Sequence, residues 1–195
     1  MATMDKNILC KRLDYKHNQI NVDAMIGFIM NEFKKSEKEE IIIVNIGTDK
    51  CTGDSFAPFL GSYLEDKNYS IKIYGTLENP IHALNIYKEI DNIKSMHNNA
   101  FIIGVDSAMS SAKDVGNIVI RNKPIEAGAG VGKDLPSVGD VSIIYNASIS
   151  DAGFFGLSKD VRLGDILKAV KEVYKVFVEL ENVYMNSNIN LKNVI

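Results

Sequence analysis

Two aspartates stand at the ends of apolar runs, where a carboxyl group can be presented to a ligand. Asp54 closes the stretch Asn45-Ile46-Gly47-Thr48-Asp49-Lys50-Cys51-Thr52-Gly53-Asp54, directly after the run Ile41 to Ile46. Asp106 follows Phe101-Ile102-Ile103-Gly104-Val105 and precedes Ser107. If the two runs are neighbouring strands of one open sheet, both carboxyls enter one crevice beyond the strand ends, where such sheets bind ligands. Two carboxyls at short range push their pKa values apart, so that one serves as base toward water and the other as acid toward a leaving group. Alternatively they hold a divalent metal that activates water. Both uses point to hydrolysis, with Asp54 and Asp106 as catalytic candidates and Asp49 and Thr52 of the same loop as substrate contacts. The bland reading of Asp54 is an N-cap on a helix over Ser55 to Asp66, with Pro58 harmless in its first turn.

Two further loops sit near strand ends. In Tyr74-Gly75-Thr76-Leu77-Glu78-Asn79-Pro80-Ile81-His82, Glu78 and Asn79 are candidate substrate contacts and His82 is a candidate third metal ligand. The plainer alternative makes Asn79 a cap and Pro80 the first position of a helix over Ile81 to Met96. Glu126 to Asp140 is rich in glycine, but Ala127 and Asp134 fall where a P-loop needs Gly and Ser or Thr. It reads as a loop whose backbone passes close to something, with Gly128, Gly130 and Lys133 as candidate substrate contacts. His17 and His97 lie in polar surroundings and are expected on the surface. Cys10 and Cys51 are too few and too far apart for a disulfide framework or a zinc site.

The elements that must position these residues follow from periodicity. Ile41 to Ile46, Ser70 to Tyr74, Ala100 to Val105, Val141 to Tyr145 and the shorter Asn117 to Arg121 read as strands, and the unbroken Ile41-Ile42-Ile43-Val44 marks a strand covered on both faces. Val22 to Lys35 and a long stripe from Leu163 to Leu180 read as amphipathic helices, with a peripheral tail from about residue 182. The whole of residues 1–195 reads as one α/β domain. Lys and Arg number 22 against 25 Asp and Glu, a net charge of −3 that argues against nucleic acid as a partner. No apolar run approaches the roughly 20 residues of a membrane span, so a cytoplasmic protein is expected.

Taken together, the segments Ile46-Gly47-Thr48-Asp49, Thr52-Gly53-Asp54, Tyr74 to Pro80, His82 to Asn85, Val105-Asp106, Gly128 to Val131, Lys133 to Pro136 and Val138-Gly139-Asp140 resemble the YyaC-type sporulation proteins, a spore-protease family of spore-forming Firmicutes. That family is similar in fold to the germination protease and the hydrogenase maturation endopeptidases. The resemblance implies a three-layer α/β/α sandwich with a mainly parallel central sheet, of the phosphorylase/hydrolase-like type. It also implies an intracellular peptidase acting on a protein or peptide of the spore, in mother cell or forespore, through Asp54 and Asp106. A divalent metal and self-association are both compatible with it. The sequence departs from the family pattern at Lys50-Cys51, at Ser107 and over Ile149 to Gly156. The altered Ile149 to Gly156 loop, the lack of a mappable histidine and the absence of an obvious nucleophile keep a non-catalytic peptide- or ligand-binding protein of the same fold as the alternative; strand-end carboxyls with Lys133 nearby leave a small-molecule or phosphate-ester hydrolase behind it.

Overall fold

The computed structural model of the chain describes residues 20–127, 135–150, 157 and 160–192. In chain order its elements are α1 (Val22–Ser36), β1 (Glu40–Asn45), α2 (Phe56–Glu65), β2 (Lys72–Tyr74), α3 (Ile86–Met96), β3 (Ala100–Ser110), β4 (Ile118–Arg121), β5 (Ile125–Glu126), β6 (Ser137–Val138), β7 (Val141–Ile149) and α4 (Leu163–Lys192). Five strands form one sheet in the order β2-β1-β3-β7-β4. All neighbours are parallel except β4, which pairs antiparallel with β7 at the edge. Strand alternation divides the core in two. Ile41 and Ile43 face a layer built from α1, α2 and α4, whereas Ile42 and Val44 face α3 and the small β5–β6 hairpin. This is the three-layer α/β/α arrangement with a mainly parallel sheet.

The thick layer owes its cohesion to stripes already visible in the sequence. Phe56, Leu60 and Leu64 of α2 and Ile166, Val170, Val173 and Phe177 of α4 are fully buried. Tyr63 meets Tyr174 edge to face at 5.0 Å between ring centroids. The α4 helix continues to Lys192, past the point near residue 182 where the Asn-rich composition suggests a tail. Tyr184 explains part of this: it is buried and packs edge to face on Phe33 at 5.7 Å.

Other boundaries also depart from expectation, each for a local reason. Ser55 rather than Asp54 occupies the N-cap position of α2, and Thr52–Asp54 forms a 3-10 turn instead, so the Asp54 carboxyl is not spent on capping. The α3 helix begins at Ile86, not Ile81. Ile81 is drawn into a bridge with Ile46, and the Asn85 side chain takes the His82 N–H at 2.8 Å while donating to the Pro80 carbonyl at 2.9 Å. His97 is not a free surface residue, because its ring joins Glu40 at 2.8 Å to the Tyr74 hydroxyl at 2.6 Å. At the amino ends of β3 and β7, Asp140 accepts the Ile102 N–H at 2.7 Å and pairs with Lys38 at 2.6 Å. The hairpin beside it lies over Gly104, where a β-carbon would stand 2.7 Å from Ile125 and 2.9 Å from the Val138 carbonyl.

One residue decides where β1 stops. The Ile46 N–H donates to the Val105 carbonyl at 2.8 Å on the β3 side, and the next N–H, of Gly47, donates to the Ile81 carbonyl at 2.8 Å on the opposite side, where Ile46 bridges Ile81. Gly47 adopts φ +145°, and a β-carbon there would lie 2.1 Å from the Asp54 carbonyl oxygen. That carbonyl in turn accepts the Thr48 N–H at 3.1 Å, closing the loop that carries Asp54. Gly47→Ala therefore brings both backbone strain and a collision with main chain, and is expected to destabilise the fold by roughly 2–4 kcal/mol. Urea unfolding of the variant measures this; an unchanged midpoint would show that the loop yields freely.

Candidate active site

Asp106 lies in β3 one residue past the last β1 partner, Val105. Beyond that point β3 pairs with β7 alone, through Ser110. By strand alternation Asp106 belongs to the face covered by α3 and the hairpin, and Ser107 to the face covered by α2. Asp54 arrives on the latter side, from the 3-10 turn that leads into α2. The two carboxyls thus approach the uncovered stretch of β3 from its two faces. Both line a hollow of about 800 Å³ at the carboxyl ends of β1 and β3, and both keep some accessible surface. Its walls are largely apolar, with Ile46, Ile86, Met109, Leu135 and Ile144 among them, and Lys50, Arg121 and Lys123 add positive charge.

Burial governs the electrostatics. Loss of solvent raises the Asp54 carboxyl from its ordinary range to about 7, against the smaller opposing influence of the Thr48 N–H and the Ser107 hydroxyl. That hydroxyl is buried and close enough to favour the charged carboxylate, yet it makes no hydrogen bond of good geometry. Asp106 is pushed well above the ordinary carboxylate range, first by burial and then by the negative charge of Asp54. The Ser107 N–H, 2.7 Å from Asp106 Oδ1, and the charge of Arg121 oppose this without cancelling it. Both carboxyls are thus shifted toward the protonated form, and the pair titrates as a unit.

The remaining residues singled out in the sequence are distributed unevenly. Lys50 and His82 share the hollow with the aspartates. Asp49 is exposed and, like Thr52, does not line it; the Thr52 carbonyl is engaged by the Ser55 hydroxyl at 2.7 Å. Glu78 and Asn79 border a separate hollow of about 450 Å³ beside Tyr74 and Glu65, which corrects their assignment to the aspartate crevice. The loop over Ile81 to Asn85, pinned to β1 through Ile46, separates the two. Gly128, Gly130 and Lys133 lie outside the described residues, as do Cys10, His17 and residues 151–156. Cys51 is buried, and burial raises its thiol above the ordinary value, so it is no poised nucleophile. Ser107 and Arg121 escape the sequence reading. Continuing β3 through its polar residues would have placed Ser107 opposite Asp106, whereas Arg121 depends on β4 running antiparallel.

A metal held by Asp54, Asp106 and His82 does not fit this arrangement. Among the described residues no three His, Cys, Asp or Glu side chains come together to hold an ion. The His82 Nδ1 accepts the Leu84 N–H at 3.3 Å.

The raised carboxyls fix the sign of a pH effect on stability. Between about pH 4 and about pH 7 the folded protein holds protons on Asp54 that the unfolded chain has released, so stability falls as pH rises through that window. Asp106 acts in the same direction. Asp106→Asn removes the coupled charge while keeping an acceptor for the Ser107 N–H. It is expected to be more stable than the wild type at pH 8, with little difference at pH 4. Urea titrations at the two pH values check this, and parallel pH dependences in both proteins would contradict it.

Three comparisons bear on the chain as a whole. It is 39% identical over 127 residues to the "Uncharacterized protein YyaC" of Bacillus subtilis (strain 168), a match covering 65% of this chain and 61% of that relative's length. In structure it is similar to the [NiFe] hydrogenase maturation protease HycI from Thermococcus kodakarensis KOD1, with a TM-score of 0.52 and 16% identity over 78% of this chain and 99% of that one. That likeness extends to the fold, a sheet of mainly parallel strands between helical layers. Among the described residues no helix is long and apolar enough to cross a membrane. Matched over residues 13–176, the chain belongs to the family described as "Protein of unknown function (DUF1256)".

Proposed function

We propose that this protein is a peptidase that hydrolyses a peptide bond between Asp54 and Asp106, acting in the cytoplasm of a spore-forming cell on a sporulation or germination substrate. The observation that carries the reading is the convergence of two half-buried carboxyls, from separate stretches of chain, in one largely apolar hollow. The fold shared with a maturation protease supports it as an analogy of scaffold, and the sporulation setting rests on the motif resemblance to YyaC-type proteins.

The unequal surroundings suggest unequal roles. Asp106, raised by burial and by the neighbouring charge of Asp54, is the proton holder: it donates to the leaving amine of the scissile bond. Asp54, at about 7, is ionised in an appreciable fraction at neutral pH and takes a proton from the attacking water. Water adds to the carbonyl carbon, the C–N bond breaks, and the amine leaves with the proton from Asp106. Apolar walls exclude bulk water and keep both carboxyls in the low-dielectric surroundings that set them apart.

The binding alternative is favoured by one observation, that the hollow is predominantly apolar and that among the described residues neither His82 nor Glu126, which also line it, joins the pair in a cluster able to hold an ion. Activity on spore proteins separates the two. The peptidase reading expects cleavage that rises as pH approaches about 7 and falls at higher pH, and a loss of about 10³-fold in kcat/KM for Asp54→Asn or Asp106→Asn with folding retained. Substrates left intact from pH 5 to 9, with and without divalent metals, or full activity in either variant, would remove the peptidase assignment.

A further inference from the structure

The stretch of β3 beyond β1 is an open sheet edge, and the register tells which main-chain groups face outward. The Val105 carbonyl accepts from Ile46 and so points toward β1. Alternation along the strand turns the N–H and C=O of Ser107 and Met109 to the same side. The register shift between Ala108 and Met109 skips Ala147, so the extra residue lies in β7 and the alternation of β3 is undisturbed. Among the described residues no strand pairs with this side of β3 from Asp106 to Ser110. The Ser107 N–H turns to its neighbour Asp106 instead, at 2.7 Å. The Ser107 carbonyl and the Met109 N–H are left at the edge, and both residues line the hollow.

We propose that an extended peptide docks here as an added strand, hydrogen-bonded through its main chain to the Ser107 carbonyl and the Met109 N–H. The proposal deepens the peptidase reading and rests on it for placing the scissile bond. Acceptor and donor spaced at the strand repeat are matched by another extended main chain, the chemistry of strand addition. A chain laid along this edge runs between Asp54, on the α2 side, and Asp106, on the α3 side, which is where a peptide bond must sit to meet both. Its alternate side chains meet the apolar walls at Ile46 and Ile86. Lys50 and Lys123, which form no ion pair among the described residues, line the hollow together with Glu126, so a peptide carboxylate has cations within the wall to meet. The edge is short, Ser107 to Ser110, so it accommodates a segment of a few residues.

The probe is an N-acetylated hexapeptide of alternating alanine and leucine with a free C-terminal carboxylate, together with its six singly N-methylated forms. Binding to the wild-type protein is followed by calorimetry and by amide exchange in NMR. Strand addition expects the Met109 amide to become protected. It also expects N-methylation to weaken binding about fivefold or more at alternate positions while leaving the intervening ones unaffected. Absence of binding at about 1 mM peptide, a uniform response to N-methylation, or protection confined to β2 or β4 would overturn it. The two readings fail separately. A peptide that binds with the alternating pattern and is never cleaved leaves the docking edge in place and removes the peptidase, whereas cleavage without the pattern does the reverse.

Discussion

The site depends on a mismatch of strand lengths. β1 leaves the sheet after Asn45 because Gly47 turns its backbone into a conformation few other residues adopt, while β3 continues for five residues past Val105. Had the two strands ended together, Asp106 would lie under a neighbouring strand and Asp54 would have no gap to reach into. The same turn that ends β1 closes the loop carrying Asp54, through the bond from the Thr48 N–H to the Asp54 carbonyl. A single backbone event thus opens the edge and delivers one of its two acids.

The surrounding layers give that gap largely apolar walls. Helices α1, α2 and α4 form a continuous apolar cover, from which the turn at Thr52–Asp54 emerges. The opposite cover is thinner, with α3 at one side and the β5–β6 hairpin at the other. The hollow occupies the space between them. Burial there penalises charge on both carboxyls, and Ser107 mediates between the two, with its N–H on Asp106 and its hydroxyl beside Asp54. The chemistry of the pair is thus a property of the packing around it as much as of the two residues.

Much of the scaffold was legible in the sequence because buried parallel strands and amphipathic helices write strong patterns. Ile41 to Val44 announced a doubly covered strand, and the stripe from Leu163 to Leu180 announced α4. Strand ends were less legible: β3 carries on through Asp106-Ser107-Ala108-Met109-Ser110, a polar stretch that reads as loop until β7 is known to pair with it. Asp54 and Asp106 were found by position at strand ends, which needs only local pattern. The separation of Glu78 and Asn79 from them depends on a long-range bridge, Ile46 to Ile81, that no local pattern encodes. Arg121 was missed for a similar reason, since the direction of β4 is a tertiary fact.

The unequal thickness of the two covers divides labour within the molecule. Most of the large, fully buried side chains, Phe56, Phe101 and Phe177 among them, belong to the three-helix side, whereas the hairpin at Ile125–Glu126 and Ser137–Val138 contributes few. Replacing or lengthening that hairpin would reshape the cavity's rim while leaving the principal source of folding energy untouched. The architecture is accordingly modular: ligand preference is free to drift on one side of the sheet at little risk to the integrity secured on the other.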